Sequence, residues 1–289
     1  MNSLAEIQTT NELTPIDYLV IGHIAKDQTP QGATIGGTAA YAGRTAQAHG
    51  FRTGLLTSYA ADIDLSLLQC VQIRNVSSQA TTTFVNRYTA QGREQILCNI
   101  ALPINPDDVP QVWQQTSLVH LGPVANEVNR ELIQLFSGAF IGITPQGWLR
   151  QWGEDGKVHL LDWTAIREIL PLADAVVISM EDLGHVDQAV PKIAQDCQLL
   201  IVTDGANGAW VYYQGQQRHF PAPRMDEVDP TGAGDIFAAA YFIHFNHNQD
   251  PWEAARVATN LAANSVTRTG IESTPSKEEV QGLRAEVHR

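Results

Sequence analysis

The chain has 289 residues, 44% of them hydrophobic and 17% charged, with a net charge of −13. That balance excludes a disordered chain or a coiled coil, and the excess of acid argues against nucleic acid or an anionic membrane surface as a partner. Three widely spaced cysteines, Cys70, Cys98 and Cys197, make no CxxC or Cys/His cluster, so neither a disulfide framework nor a structural zinc site is expected, which suits a cytoplasmic setting.

Residues 1–15 are polar, lack the basic start and apolar run of a signal peptide, and read as a flexible tail. No run reaches the ~20 apolar residues of a membrane helix. Residues 16–25 read as a buried strand. Residues 36–50 read as a helix of small residues closed by Gly50. A strand at 53–59 and a helix at 65–71 follow. Residues 80–87 and 94–101 are β-rich on either side of Gln91-Gly92, which predicts a hairpin. Strand and helix then alternate, with strands at 118–121, 140–144, 175–178 and 199–203. The helices between them are expected at 126–136, 166–170 and 188–196. A second hairpin, 210–213 with 218–220, turns at Gln214-Gly215, and helices at 233–245 and 251–267 finish the core. Such alternation predicts a mostly parallel sheet between helical layers, with ligands beyond the carboxyl ends of its strands. The hairpin at 80–101 interrupts the rhythm and reads as a lid on a single domain over residues 16–289.

The most informative segment is DPTGAGD, Asp229 to Asp235, followed at once by IFAAAYFIHF. The apolar run predicts a buried helix with Gly232, Ala233 and Gly234 at its N-terminus. Small residues let backbone N–H groups face a ligand closely, and the helix end favours an anion. Asp235 places a carboxylate in the same spot. Phosphoryl transfer needs both parts: donors for the charge on the transferred oxygens, and a base for the attacking hydroxyl.

DPTGAGD resembles the C-terminal signature of the ribokinase-like (PfkB) carbohydrate kinases, and the likeness runs from Tyr18 to about Pro275. The resemblance implies a three-layer α/β/α sandwich with a mostly parallel central sheet and a small, reduced β lid. It implies Asp235 as catalytic base and Gly232, Ala233 and Gly234 as an anion hole. IGGTAAYAGRTAQAHG is similar to the family's N-terminal signature, which implies Gly36 and Gly37 beside the acceptor, with Tyr41 near. Upstream, Asp27 occupies the place of an acidic residue that takes hydrogen bonds from acceptor hydroxyls; a carboxylate only accepts, so it suits a polyol. Asn86 and Tyr88 of the hairpin would cover the acceptor. VTDGANGAW resembles the nucleotide loop, implying Thr203 and Gly205 at the donor, with Gly208 shaping the turn and Asn260 near the base. Asp229 and Thr231, with Val266, Thr269, Gly270 and Ser273, would form a monovalent-cation loop for potassium.

One stretch departs from the pattern. The family's Asn-Glu-x-Glu, which holds magnesium through water, is here VISMEDL. Ser179 takes the Asn place and Asp182 the final acidic place, with Glu181 beside it. The resemblance implies ATP and Mg2+ as cofactors and a small hydroxyl acceptor as partner, with a monomer or homodimer expected. Few basic residues lie near the N-terminal matches, which favours a neutral sugar, polyol or nucleoside. His120 is expected as a core histidine and Trp148, Trp152 and Trp163 as packing residues. The alternative reading is a catalytically idle relative that binds a metabolite and regulates a partner. A dinucleotide oxidoreductase is a weaker option, because GHIAKD follows the first strand where GxGxxG would be needed.

Overall fold

Short runs of Val, Ile and Leu supply the strands, and an Ala-rich helix pair covers them. The computed structural model describes residues 13–29, 32–89 and 92–287; most of the tail expected at 1–15, and the turn residue Gln91, lie outside them. In chain order the elements are β1 (Tyr18–Ile21), β2 (Ala25–Thr29), β3 (Gly32–Gly36), α1 (Thr38–Ala48), β4 (Thr53–Thr57), β5 (Gln72–Asn75), β6 (Thr83–Thr89) and β7 (Gly92–Asn99). There follow β8 (Leu118–Leu121), α2 (Leu132–Leu135), β9 (Phe140–Ile143), β10 (Arg150–Trp152), β11 (Val158–Leu160), β12 (Ala175–Ser179), α3 (Val190–Asp196) and β13 (Leu199–Thr203). The hairpin β14 (Ala209–Tyr213) and β15 (Gln216–Phe220) leads to α4 (Ala233–Asn248), α5 (Pro251–Ser265) and α6 (Lys277–Val287).

The central sheet has nine strands in the order β15-β14-β13-β12-β9-β8-β1-β4-β5. From β13 to β5 every neighbour is parallel, and only β14 and β15 run antiparallel to their neighbours. Alternation along each strand feeds two cores. Tyr18 and Val20 face the layer of α1, α4 and α5, whereas Leu19 and Ile21 face the opposite layer. Residues Ile236 to Phe245 of α4 are all buried, so this helix is core on every side. Helix α5 starts cleanly because Asp250 accepts from the N–H groups of Trp252 and Glu253, with Pro251 at the first helical position. The chain runs from β1 towards β5, returns to β8 beside β1, and then builds towards β15. The β1/β8 boundary is therefore the point where strand order reverses, the place where open sheets of this kind bind ligands.

The second layer holds fewer helices than the sequence suggests. The helix expected at 126–136 is only α2. Residues 127–129 instead pair with Ile104, through Ile104 N–H to Glu127 O at 2.9 Å and Asn129 N–H to Ile104 O at 3.0 Å. Those groups are thus taken from any helical ladder. The helices expected at 65–71 and 166–170 are one-turn 3-10 segments.

The lid is larger than expected. Residues 25–36 form a hairpin, β2 with β3, and β2 pairs with β6, giving a four-stranded sheet in the order β3-β2-β6-β7. The hairpin at 80–101 is only half of it. Strands β2 and β3 were hidden in the sequence because AKDQT and GATIG lie largely open and lack an apolar alternation. A small β10–β11 hairpin braces β7, with Leu97 N–H donating to Gly156 O at 2.8 Å and Lys157 Nζ donating to Glu94 at 2.7 Å.

Candidate active site

Helix α4, which packs against β8 and β12, begins within the DPTGAGD segment. Gly232 caps that helix in the left-handed region, φ 82° and ψ −6°. A Cβ there would fall 2.3 Å from two ring carbons of Tyr41, so only glycine fits. Gly234 is exposed, with open space where a Cβ would stand. The first-turn N–H groups of α4 thus have room for an anion in front of them. Asp235 follows in the same turn, and Thr38 Oγ1, from the first turn of α1, donates to its Oδ1 at 2.7 Å. Burial raises the Asp235 carboxyl to about 6; the Thr38 hydrogen bond and the charge of Arg150 pull it down, while Asp182 and Asp27 push it up.

Asp27 lies on β2, opposite Thr34, and its Oδ2 stands 2.1 Å from where a Gly36 Cβ would be. Gly36 and Gly37 therefore let the lid carboxylate sit against the entry to α1. Tyr41 is 1% exposed, and its hydroxyl has no hydrogen-bond partner among the described residues. Burial, with repulsion from Asp27, Asp235 and Asp229, holds its phenol far above the ordinary range. Its ring is packed on Gly232, and its hydroxyl is buried with the ring. Asn86 lies on β6, where Gln95 donates to it at 3.1 Å. The side chain of Tyr88 lies outside what is described.

Ser179 and Thr203 stand opposite each other at the ends of β12 and β13. Ser179 Oγ donates to Asp182 Oδ2 at 2.6 Å, and Gln146 Nε2 donates to Asp182 Oδ1 at 3.2 Å. Asp182 is buried and faces Asp235 electrostatically, whereas Glu181 is exposed; the structure separates that pair. Gly205 opens the turn after β13, and Gly208 backs onto the Phe220 carbonyl, which shapes the turn into β14. Asn260 is half-buried and donates to the Arg256 carbonyl within its own helix at 2.7 Å.

Two segments expected in the cation loop meet at Asp229. Asp229 accepts from Thr231 N–H at 3.0 Å and from Gly270 N–H at 2.9 Å. Burial works against its charge, but those hydrogen bonds hold its carboxyl below the ordinary range. The Val266 carbonyl already accepts from Val228 and Asp229. Ser273 Oγ is buried without a partner among the described residues, and Thr269 is exposed.

One charged group at this site escaped the sequence reading. Arg150, on β10, is 9% exposed, lies 5.7 Å over the Phe84 ring of the lid and donates to Val124 O at 3.2 Å. Its charge reaches Asp235. Nothing in QGWLRQW marks it, because its place depends on a hairpin that the sequence did not suggest. His120 is a core residue as expected: Tyr18 OH and Thr144 Oγ1 each lie 3.0 Å from its ring nitrogens, and burial lowers it to about 3.

Residues 164–278, which include the whole DPTGAGD segment, match the family described as pfkB family carbohydrate kinase. The C-terminal part of the chain thus carries the pfkB family match. Among curated proteins, fructokinase of Escherichia coli is 27% identical over 200 residues, 64% of this chain and 59% of that protein. Inositol 3-kinase of Zea mays is 29% identical over 206 residues, 67% of this chain and 53% of that protein. The matched stretch thus spans a little over half of each. In fold, this chain is similar to a pyrophosphate-dependent kinase of the ribokinase family complexed with a pyrophosphate analog and myo-inositol. The TM-score is 0.78 at 22% identity, covering 91% of this chain and 99% of that one. Among the described residues no helix is long and apolar enough to cross a membrane.

Proposed function

We propose that this protein is a kinase that moves the terminal phosphoryl group of ATP to a hydroxyl of a neutral sugar or cyclic polyol. The observation that carries this reading is Asp235, a raised carboxyl fixed by Thr38 in the first turn of a fully buried helix, beside the open face of Gly234. The acceptor hydroxyl lies between Asp235 and Asp27, and Asp235 takes its proton as the bond to phosphorus forms. The N–H groups of Gly232 and Gly234 hold the transferred oxygens, with Arg150 adding positive charge; the Ala233 N–H between them donates to Pro230 O at 3.2 Å and is already engaged. The donor lies along Thr203, Gly205 and Asn260.

Among the described residues no cluster of three or more acidic, His or Cys groups could hold a metal by itself. That fits magnesium, which takes one or two carboxylates and otherwise binds donor phosphates and water. Asp182 is the carboxylate placed for it, and magnesium would supply charge neutralisation on the phosphates. The Asp229 loop, with the unpartnered Ser273 hydroxyl, suits a monovalent cation.

The test is ADP release with Mg-ATP over a panel of hexoses, inositols and nucleosides, with and without potassium. Pyrophosphate serves as a second donor arm, because the structural relative named above depends on it. Acceptor-dependent release supports the reading; ATP binding without turnover on any acceptor would favour the idle, regulatory alternative.

Two substitutions probe the roles. Arg150→Met removes an attraction that lowers the Asp235 carboxyl, so the acidic limb of the kcat/KM profile should move to higher pH. The rate should also fall on the order of 10²-fold; an unmoved limb would detach Arg150 from the base. Tyr41→Phe removes a buried hydroxyl that has no protein partner, so melting temperature should hold or rise. A several-fold rise in acceptor KM would place that hydroxyl on the acceptor, and an unchanged KM would remove it from the site.

A further inference from the structure

Four chain crossings join the lid sheet to the body: residues 22–24 into β2, 36–37 out of β3, 81–82 into β6 and 100–102 out of β7. All four meet at His23, which is fully buried. Its Nε2 lies 2.9 Å from Leu102 O and its Nδ1 2.7 Å from Thr82 Oγ1. A carbonyl only accepts, so Nε2 carries the proton and Nδ1 accepts from the Thr82 hydroxyl. Thr82 Oγ1 in turn accepts from Ala101 N–H at 2.9 Å, and Lys26 N–H donates to Thr82 O at 2.8 Å. The fourth crossing touches the same residue: a Cβ at Gly37 would stand 2.4 Å from His23 O.

The His23 backbone is held as firmly. Its N–H donates to Glu127 Oε1 at 2.9 Å. Glu127 is 2% exposed and also accepts from Val124 N–H at 3.0 Å and Ala125 N–H at 2.6 Å. Val124 and Ala125 form one apolar cluster with Phe84 and Leu97 of the lid. One carboxylate therefore fixes both the pivot and the body loop that the lid rests on.

We propose that His23 and Glu127 are positioning residues, a polar pivot that sets the angle of the lid and so the distance between Asp27 on β2 and Asp235 on α4. This rests on the kinase reading, in which those two carboxylates share one acceptor. An apolar plug at this junction would fill the same space with no directional preference. Each bond here has a fixed donor and acceptor, so a rotation of the lid breaks bonds that buried groups cannot replace. Neither residue belongs to the Asp235 cluster, so the pair acts through geometry.

Thr82→Val keeps the shape and removes both hydrogen bonds of the hydroxyl; His23→Gln is the harsher companion. Three readouts decide: acceptor KM against kcat, donor hydrolysis without acceptor, and amide exchange of β2, β6 and β7 against that of α4 and α5. A displaced pivot should raise acceptor KM about tenfold with a smaller change in kcat, raise the share of wasted hydrolysis, and speed exchange in the lid strands alone. A lower melting temperature with unchanged KM, coupling and lid exchange would overturn the proposal and leave a structural role. If the parent protein transfers phosphate to no acceptor, the kinase reading fails by itself. The exchange arm then still judges the pivot: faster exchange confined to the lid supports it, and unchanged exchange overturns it.

Discussion

Asp235→Asn should lose on the order of 10²–10⁴-fold in transfer rate and melt at a higher temperature than the parent protein at pH 8. The first effect follows from removing the base while keeping the shape, so donor binding should persist. The second follows from burial. The folded-state carboxyl sits at about 6, above its ordinary 3.8, so the folded chain holds that proton more tightly than the unfolded chain does. Stability is therefore lost as pH rises from about 4 to about 6, and the full cost is present above that window. The shift corresponds to at most about 3 kcal/mol, and water at the half-buried carboxyl reduces it. An amide escapes this penalty and can still accept from Thr38. Melting curves at pH 4 and pH 8 check the sign: the variant should gain several degrees at pH 8 and nothing at pH 4. Equal curves at pH 8 would reject the buried-charge account, and full activity would reject the base.

The glycines at the start of α4 should part company when each is replaced by alanine. Gly232→Ala combines a left-handed backbone with a Cβ driven into a buried tyrosine ring. Each fault costs about 1–3 kcal/mol, so the variant should melt well below the parent and lose activity with its fold. Gly234→Ala meets open space, and alanine in a helix is favoured over glycine by about 1 kcal/mol. Its stability should hold or rise. Yet the methyl would stand before the N–H groups offered to the phosphoryl oxygens, so kcat/KM should fall on the order of 10²-fold. Paired melting and rate measurements check this. A fully active Gly234→Ala protein would mean that the helix end does not face the transferred group.

The parts of this molecule legible in the sequence are those whose pattern is local. The strand at 118–121 and the strand at 199–203 agree with β8 and β13 residue for residue, since a short apolar run between polar punctuation needs no context. DPTGAGD gave the helix start, and the structure brings Thr38, Tyr41 and Asp235 together around it. What was illegible depended on distant chain. Strands β2 and β3 are polar and exist because β2 pairs with β6 and β3 with β2. The helix after Asn126 shortens because Ile104 claims its backbone. Arg150, Glu127 and His23 owe their places to loops that meet only in the folded molecule, and no spacing rule could have flagged them. Helix α6 was missed because its sequence, KEEVQGLRAEV, is mostly polar and charged and has a glycine in its middle.

The two halves of the site are borne by separate pieces of the chain. Asp235 sits on a helix that is core on all sides, where almost any change is felt throughout the body. Asp27 and Asn86 sit on neighbouring strands of the small four-stranded sheet, outside the central one. On the proposed function, mutation can sample the lid at low risk while the catalytic helix stays under constraint. Acceptor preference is then the trait free to diverge among descendants of such a chain, and phosphoryl chemistry the trait that is inherited.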